Sequence, residues 1–380
     1  MAEHDATRAI RAGKAAASLP RTVGPPIQKG STILLPNAAS LYDDDGYVTY
    51  GRQGLAAQTT LMDALADLEG ATGVQLYPSG LAAVTGAMLA VLSAGDEVMV
   101  TDTIYRPTAR FCATVLKRFG VTTTYFDPRT SPEDLVAGAS PAAKLILMES
   151  PGSLSFELQD MAAVAALARA RGILTACDNT WGAGYLCKPL NLGVDISIQA
   201  LTKYMGGHSD VFMGSAAARH PALAKALSDG GLHIGWAVSP EDAYAMLRGL
   251  RTLPTRLARH GDSGLKVARW LQSHPAVETV LHPALSGDPI YERTFSGPCG
   301  LFSIVLKPGP VDAVIDGLKL FGLGFSWGGF ESLAVTCDPQ LRARKLRRDY
   351  GGPMIRLHVG LEDPDDLIAD LAQALEAYPA

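Results

Sequence analysis

The sequence has no uninterrupted apolar run of the roughly 18 residues that a membrane-spanning helix needs. Its first residues, MAEHDATRAI, carry charges where a secretory signal peptide needs an apolar core. The five cysteines contain no CxxC pair, and their odd number predicts neither a disulfide framework nor a zinc site. We therefore expect a protein of the reducing cytoplasm, with no bound metal and no membrane partner.

An excess of positive charge is also missing. Lys and Arg number 33 against 38 acidic residues, so the formal net charge is −5. Such a chain has no general attraction to nucleic acid or to anionic lipid. Nucleic acid is therefore not expected among its partners.

Strand and helix patterns alternate along the middle of the chain. With 380 residues and 47% hydrophobic content, two or three domains with ample core are expected. Alternation of this kind predicts an α/β fold with a mostly parallel sheet covered by helices on both faces. Functional sites in such sheets lie beyond the carboxyl ends of the strands. Strands are predicted at 73–77, 97–101, 121–126, 144–149 and 173–177, and helices at 55–69, 81–92, 107–119 and 161–170.

Two changes of pattern divide the chain. Residues 1–54 show weak periodicity, with prolines at 20, 25, 26 and 36 and a turn at Asp43-Asp44-Asp45-Gly46, and predict an extended arm. After Gly249 the alternation loosens, and residues 250–273 read as a long amphipathic helix broken at Pro254. We predict an arm over 1–54, a first domain over 55–249 and a second over 250–380.

Two charged residues follow apolar runs in the first domain. Lys203 by itself is compatible with a surface lysine, but a lysine at the end of a buried strand is costly unless it is paired or neutral. Asp178 by itself is compatible with a helix N-cap. Together they match what pyridoxal phosphate requires, an amine to hold its aldehyde and an acid to keep its ring nitrogen protonated.

The motifs around these two residues resemble the Cys/Met-metabolism family of pyridoxal-phosphate enzymes, from about Thr22 to the C-terminus. Trp181 and Ala200 resemble the β-lyase branch, since other members more often carry Phe and Ser there. The resemblance implies the fold type I of aspartate aminotransferase, with a large cofactor-binding domain, a smaller α/β substrate domain and an N-terminal arm. His208 is interpreted as structural. The motifs are Asp178-Asn179-Thr180-Trp181, Gln199-Ala200-Leu201-Thr202-Lys203-Tyr204 and Gly207-His208-Ser209-Asp210.

A phosphate site is predicted between the first strand and its helix. Ser79-Gly80-Leu81 is typical of the start of a helix, where free N–H groups favour an anion. An ordinary helix N-cap without a ligand has the same pattern. The turn has no Gly-Lys-Ser/Thr, which argues against a nucleotide P-loop. The resemblance implies that Ser79, Gly80 and Leu81 bind the cofactor phosphate and that the Thr202 hydroxyl adds a contact.

The resemblance also assigns three residues whose local patterns are weak. Tyr105 follows a strand and would lie over the cofactor ring and assist catalysis. Tyr50 and Arg52 would reach into the neighbouring subunit's site and bind its cofactor phosphate, which implies a homotetramer built as a dimer of dimers. Gln53 stands where some relatives carry a second arginine.

The substrate side is predicted in the second domain. The glycine-rich loop 324–332 contains Ser326 and Trp327, which resemble the family's substrate-lining residues. Arg356 reads either as a salt-bridge partner or, by the resemblance, as the residue that binds the substrate carboxylate. The implied activity is β-elimination of cystathionine to homocysteine, pyruvate and ammonia, with Lys203 as the general base.

Several alternatives to that activity remain. One is a γ-eliminating or γ-replacing relative, such as a cystathionine γ-lyase, a γ-synthase or a methionine γ-lyase. Another is a broad β-lyase of cysteine, cystine or cysteine conjugates. A third is a protein that keeps the fold and acts by binding a partner.

Overall fold

The computed structural model describes residues 4–11, 22–42, 47–346, 348–376 and 378–379. Pro20 and the turn predicted at residues 43–46 lie outside these ranges. Within the described residues, no helix combines the length and the apolar character of a membrane span.

Helices and strands alternate through most of the chain. The helices are α1 Asp5–Arg11, α2 Ala56–Glu69, α3 Gly80–Val91, α4 Arg106–Phe111, α5 Pro132–Ala137, α6 Met161–Ala170, α7 Pro221–Ile234, α8 Pro240–Gln272, α9 Pro289–Thr294, α10 Val311–Gly317, α11 Asp338–Leu341 and α12 Pro364–Leu375. The strands are β1 Gly73–Tyr77, β2 Glu97–Thr101, β3 Thr122–Phe126, β4 Ala143–Glu149, β5 Leu174–Asp178, β6 Ile196–Gln199, β7 Gly214–Ala218, β8 Val277–Leu281, β9 Leu301–Leu306, β10 Gly322–Leu323, β11 Leu333–Thr336 and β12 Met354–His358.

The larger sheet has the strand order β1-β7-β6-β5-β4-β2-β3. Strand β7 runs antiparallel to both of its neighbours, and the other pairs are parallel, so the prediction of a mostly parallel sheet is confirmed. Strand β7 is not among the strands predicted from the sequence. Its residues, Gly-Ser-Ala-Ala-Ala, are too small to show the apolar pattern of a strand.

Both faces of this sheet are covered by helices. Side chains alternate along β4, so Ile146 and Met148 pack into a core with α2, α6 and the first half of α8. Leu145 and Leu147 pack into a second core with α3 and α7. The strands therefore hold their carboxyl ends at one edge, where Asp178 lies.

The smaller sheet has the strand order β10-β11-β12-β9-β8. Its core includes the second half of α8 and the apolar face of α12, on which Leu367, Leu371 and Leu375 are buried. This sheet brings Arg356, on β12, into the interior of the molecule.

Helix α8 corrects the prediction of a helix that begins at residue 250 and breaks at Pro254. It begins at Pro240, after the N-cap Ser239, and runs through Pro254 without interruption. A proline inside a helix costs about 3 kcal/mol. Packing offsets this cost, because Leu250, Leu253 and Leu257 are buried on either side of the proline. The predicted boundary at 249/250 falls inside this helix, and the domain limits stay a prediction.

The predicted arm also differs from an extended chain over Asp5–Arg11, which forms α1 and packs against α8 and α2. Ala9 is buried there, and Lys188 contacts Asp5 at 2.6 Å. Beyond α1 the arm contains exposed apolar side chains, among them Val23 and Leu34. The arm is therefore attached to the rest of the chain at its beginning and keeps an apolar surface further along.

Candidate active site

Lys203 lies in a turn four residues after the end of β6. Its Nζ donates to Ser326 Oγ at 2.8 Å and lies 5.4 Å from the centre of the Trp327 ring. Burial and the charge of Arg356 lower the pKa of Lys203 to about 8, although Asp178 opposes them. The amine is therefore much closer to neutrality at physiological pH than an ordinary lysine.

A buried arginine holds the backbone that follows Lys203. Arg256 donates to Tyr204 O at 2.6 Å, to Met205 O at 3.2 Å and to Gly249 O at 2.8 Å. Burial lowers the pKa of this guanidinium to about 10. Its Nε also donates to Thr252 Oγ1 at 3.0 Å. No sequence pattern marks Arg256, because its other partners are main-chain carbonyls, which any residue supplies.

Asp178 is the last residue of β5. Its Oδ1 accepts from Thr180 N at 3.0 Å and from Thr180 Oγ1 at 2.5 Å, while Thr180 Oγ1 accepts from Ala200 N at 2.9 Å. Burial raises the pKa of Asp178, and the bonds from Thr180 and the charge of Lys203 act in the opposite direction. No described residue donates to Oδ2, so this oxygen is available to a ligand.

Glu149 is a second acid at this edge, and it is not among the site residues predicted from the sequence. It ends β4 and pairs in register with Asp178. Its Oε2 accepts from Tyr105 N at 2.7 Å. Burial first, and then Asp178, raise the pKa of Glu149 well above its usual range. Its place at the end of a predicted strand was the available signal.

Tyr105 precedes α4 and is 46% exposed, so its ring is accessible from the site. Burial raises the pKa of its phenol, Glu149 and Asp178 add to the effect, and Arg356 opposes it. The structure therefore brings Tyr105 into electrostatic contact with both acids and with Arg356.

The predicted phosphate turn is formed by the start of α3. Ser79 Oγ accepts from Ala82 N at 3.1 Å, and no described residue accepts from the N–H groups of Gly80 and Leu81. A Cβ at position 80 would overlap the Cβ of Ala200. These two small residues therefore let the helix start approach the turn that leads to Lys203.

Thr202 is already hydrogen-bonded within the chain. Its Oγ1 donates to Met213 O at 3.1 Å and accepts from Met213 N at 3.0 Å. The hydroxyl has one lone pair left, with which it can accept a hydrogen bond from a protonated phosphate. To donate to the phosphate instead, it would have to break its bond to Met213 O. The predicted contact stays a prediction.

Arg356 points into the site from β12 and is buried. One of its terminal nitrogens donates to Phe325 O at 2.7 Å and to Ser326 O at 3.2 Å. Its Nε is buried and has no hydrogen-bond partner among the described residues. Burial lowers the pKa of the guanidinium. An unpaired buried N–H of a cation fits an incoming carboxylate.

Tyr50 and Arg52 do not join this cluster within one chain. Arg52 donates to Leu232 O on α7, and Tyr50 is half exposed. Gln53 has a local role, because its Oε1 accepts from Thr49 N at 2.7 Å and from Tyr50 N at 3.0 Å. Gln53 therefore closes the turn that presents Tyr50 and Arg52.

The arrangement fits pyridoxal phosphate in three places. Lys203 offers an amine of lowered pKa for the aldehyde. Asp178 offers a free carboxylate oxygen for the ring nitrogen, and the start of α3 offers unused N–H groups for the phosphate.

Comparison with known proteins identifies the family of this chain. Residues 6–376 match the family described as Cys/Met metabolism PLP-dependent enzymes. The chain belongs to this family. The enzyme is therefore pyridoxal-phosphate dependent, and the predicted family and fold type are confirmed.

Named relatives and a solved structure agree with this assignment. Over 364 residues the chain is 41% identical to the cystathionine β-lyase of Bordetella avium, covering 92% of this chain and 91% of the relative. It is 40% identical over 382 residues to that of Escherichia coli (strain K12), covering 96% of each. The crystal structure of cystathionine γ-lyase from Lactobacillus plantarum complexed with L-serine matches with a TM-score of 0.92 and 30% identity, covering 99% of both chains.

Proposed function

We propose that this enzyme catalyses the β-elimination of L-cystathionine to homocysteine, pyruvate and ammonia. The observation that carries the proposal is the position of Lys203, whose amine contacts Ser326 and interacts electrostatically with both Asp178 and Arg356. A base, an acid and a cation that can bind a carboxylate, namely Lys203, Asp178 and Arg356, therefore lie in one site. The relatives named cystathionine β-lyase, at about 40% identity over most of the chain, support the choice of substrate.

Each residue of the site has a separate role in this reaction. When bound, pyridoxal phosphate supplies a ring that accepts the electrons left at the substrate's α-carbon. Lys203 removes the α-proton as a general base, because its lowered pKa leaves a useful fraction of neutral amine. Asp178 keeps the ring nitrogen protonated. Burial raises the pKa of Asp178, and the positive charge of that nitrogen would lower it again by favouring the carboxylate.

The remaining residues bind and orient. Arg356 holds the α-carboxylate, using the Nε that lacks a partner among the described residues. Tyr105 would contact the ring of the bound cofactor, and Ser326 and Trp327 form the substrate side. The phosphate is held by Ser79, Gly80 and Leu81, with Thr202 as a further contact.

The assay that tests the activity identifies the 2-oxo acid formed from L-cystathionine by mass spectrometry. Release of pyruvate together with homocysteine supports β-elimination. Release of 2-oxobutyrate with cysteine would assign the enzyme to the γ route, the alternative suggested by the γ-lyase structure it resembles. Lys203→Ala is the control, since it removes the base and the cofactor's covalent anchor together.

We further propose that the active unit is at least a dimer with shared sites, assembled as a homotetramer. Tyr50 and Arg52 lie apart from their own chain's Lys203 cluster, and the arm that leads to them exposes Val23 and Leu34. A second copy of the chain would cover this surface and receive both residues. Cytoplasmic location is part of the same proposal, supported by five buried free thiols.

A further inference from the structure

The loop of residues 324–332 carries Ser326 and Trp327, and one strand holds its backbone. On β12, Arg356 donates to Phe325 O and Ser326 O, and His358 Nε2 lies 3.0 Å from Gly328 N and 3.2 Å from Gly329 O. Arg356 and His358 are two residues apart on a strand, so they share a face. The loop is therefore fixed on both sides of Trp327.

Gly328 is closely packed against the backbone of Lys203. Its φ is +84°, which favours glycine, and an added Cβ would lie 2.6 Å from Tyr204 N and 2.8 Å from Lys203 C. The loop backbone thus lies directly against the backbone of Lys203 and Tyr204. The direction of the Gly328 N–H therefore affects how the side chains of Ser326 and Trp327 face the Lys203 amine.

His358 Nε2 contacts two backbone groups of the loop, Gly328 N at 3.0 Å and Gly329 O at 3.2 Å. It accepts from Gly328 N when it is unprotonated and donates to Gly329 O when it carries the proton, so either tautomer of the neutral ring binds the loop backbone. His358 Nδ1 is buried and has no partner among the described residues, whereas His260 Nδ1 donates to Val359 O at 2.9 Å.

The two imidazoles lie next to each other, with centroids 5.2 Å apart. Burial, and then the neighbouring His260, lower the pKa of His358 well below its usual range. The charges of Arg356 and Lys203 add to this effect, and the bond to Gly329 opposes it. His358 therefore stays neutral.

We propose that His358 is a positioning residue of the active site: its Nε2 anchors the loop backbone at Gly328 and Gly329 and thereby holds Ser326 and Trp327 against Lys203. The inference rests on the proposed function only in treating this loop as the substrate side. His358 does not itself contact the Lys203 amine, the substrate or the cofactor in this proposal. Its effect is on the geometry of the loop.

The test compares His358→Gln with His358→Leu. Glutamine places an acceptor oxygen at the position of Nε2, whereas leucine fills the space and offers no acceptor. His282→Leu is the matched control, because His282 is also buried and bonded to backbone atoms of Ala284 and Cys299, outside the loop. It reports the general cost of removing a buried histidine.

The first readout needs neither cofactor nor substrate. Labelling with 5-fluorotryptophan gives one fluorine resonance for each of the four tryptophans, and Trp327→Phe assigns the resonance of Trp327. In the apoprotein, His358→Leu should shift or broaden this resonance selectively. His358→Gln should restore it towards wild type, and His282→Leu should leave it unchanged.

The second readout is steady-state kinetics with whichever amino acid the enzyme turns over. His358→Leu should lower kcat/KM by roughly two- to tenfold, the range expected for one lost hydrogen bond, and His358→Gln should recover most of the loss. An unchanged Trp327 resonance in His358→Leu would overturn the inference, as would a glutamine variant as impaired as the leucine variant. Failure of cystathionine as a substrate would leave the fluorine result intact and would overturn only the proposed function.

Discussion

Glu149 and Asp178 are register partners at the carboxyl ends of two adjacent parallel strands, so two partly buried carboxyl groups lie side by side beneath the site. Neighbouring carboxylates in a buried place do not both ionise readily. The pKa of Glu149 is raised well above its usual range, whereas Asp178 has two bonds from Thr180 and the charge of Lys203 to stabilise its anion. We therefore expect Glu149 to keep its proton while Asp178 carries the charge.

Glu149→Gln should be nearly as active as wild type. The amide imitates the neutral acid, and its oxygen can still accept from Tyr105 N. Glu149→Leu removes that acceptor and should lower kcat/KM by about tenfold, the upper range for one hydrogen bond. The measurement is kcat/KM across pH 6 to 9. A glutamine variant that loses more activity than the leucine variant would show that the ionised form of Glu149 is needed.

Asp178→Asn should bind the cofactor but turn over more than about tenfold more slowly, since one pKa unit of lost interaction is about 1.4 kcal/mol. A neutral amide does not hold a proton on the ring nitrogen. Cofactor content by absorbance and kcat are measured together.

The matched control for this variant is Asp195→Asn. Its carboxylate also accepts two bonds from one threonine, Thr175 N at 2.8 Å and Thr175 Oγ1 at 2.9 Å, but it lies outside the Lys203 cluster. Activity of Asp178→Asn within a factor of about two of wild type, less than a single pKa unit of interaction, would mean that the acid is only structural.

Glu69 makes stability depend on pH. It is fully buried at the end of α2, where Ser197 and Gln199 donate to it, and burial raises its pKa from 4.5 to about 7. The folded state thus holds a proton that the unfolded state releases. The stabilisation is complete below about pH 4.5 and is lost as pH rises through about 7, by about 3 kcal/mol.

Glu69→Gln should remove this dependence. The melting temperature of the wild-type apoprotein should fall relative to that of the variant between pH 5 and pH 8. Asp67→Asn, at an exposed carboxylate on the same helix, is the control. Melting curves of wild type and Glu69→Gln that shift in parallel with pH would contradict the expectation.

Mixing two defective chains tests whether sites are shared. Arg52→Ala and Lys203→Ala should each be weak or inactive alone. After subunit exchange each hybrid dimer regains one site with both native groups, so activity should recover to about a quarter of wild type at equal mixing. The measurement is activity before and after exchange, with hybrids verified by mass.

Arg356→Ala with Lys203→Ala is the matched control pair. Arg356 reaches the Lys203 site of its own chain, so every site of that hybrid carries one defect and no recovery is expected. Absence of recovery with Arg52→Ala in verified hybrids would show that Arg52 does not act across an interface.

Hydrophobic pattern alone determined much of the fold. The strands at Gly73–Tyr77 and Glu97–Thr101 and the helix at Met161–Ala170 have the predicted bounds. Each is a local periodicity between turn residues, which a short stretch of sequence contains in full. Lys203 and Asp178 were recognisable for the same reason, because each follows a buried run at the edge where parallel strands end.

Tertiary structure decided what depends on distant residues. The small residues of β7 become a strand only between β1 and β6, and α8 continues through Pro254 because two cores bury its flanks. Glu149 meets Tyr105 across 44 residues, and His358 meets Gly328 across 30. A buried polar group acquires its partner, and with it its pKa and role, only when the chain has packed, so these contacts were outside the reach of local pattern.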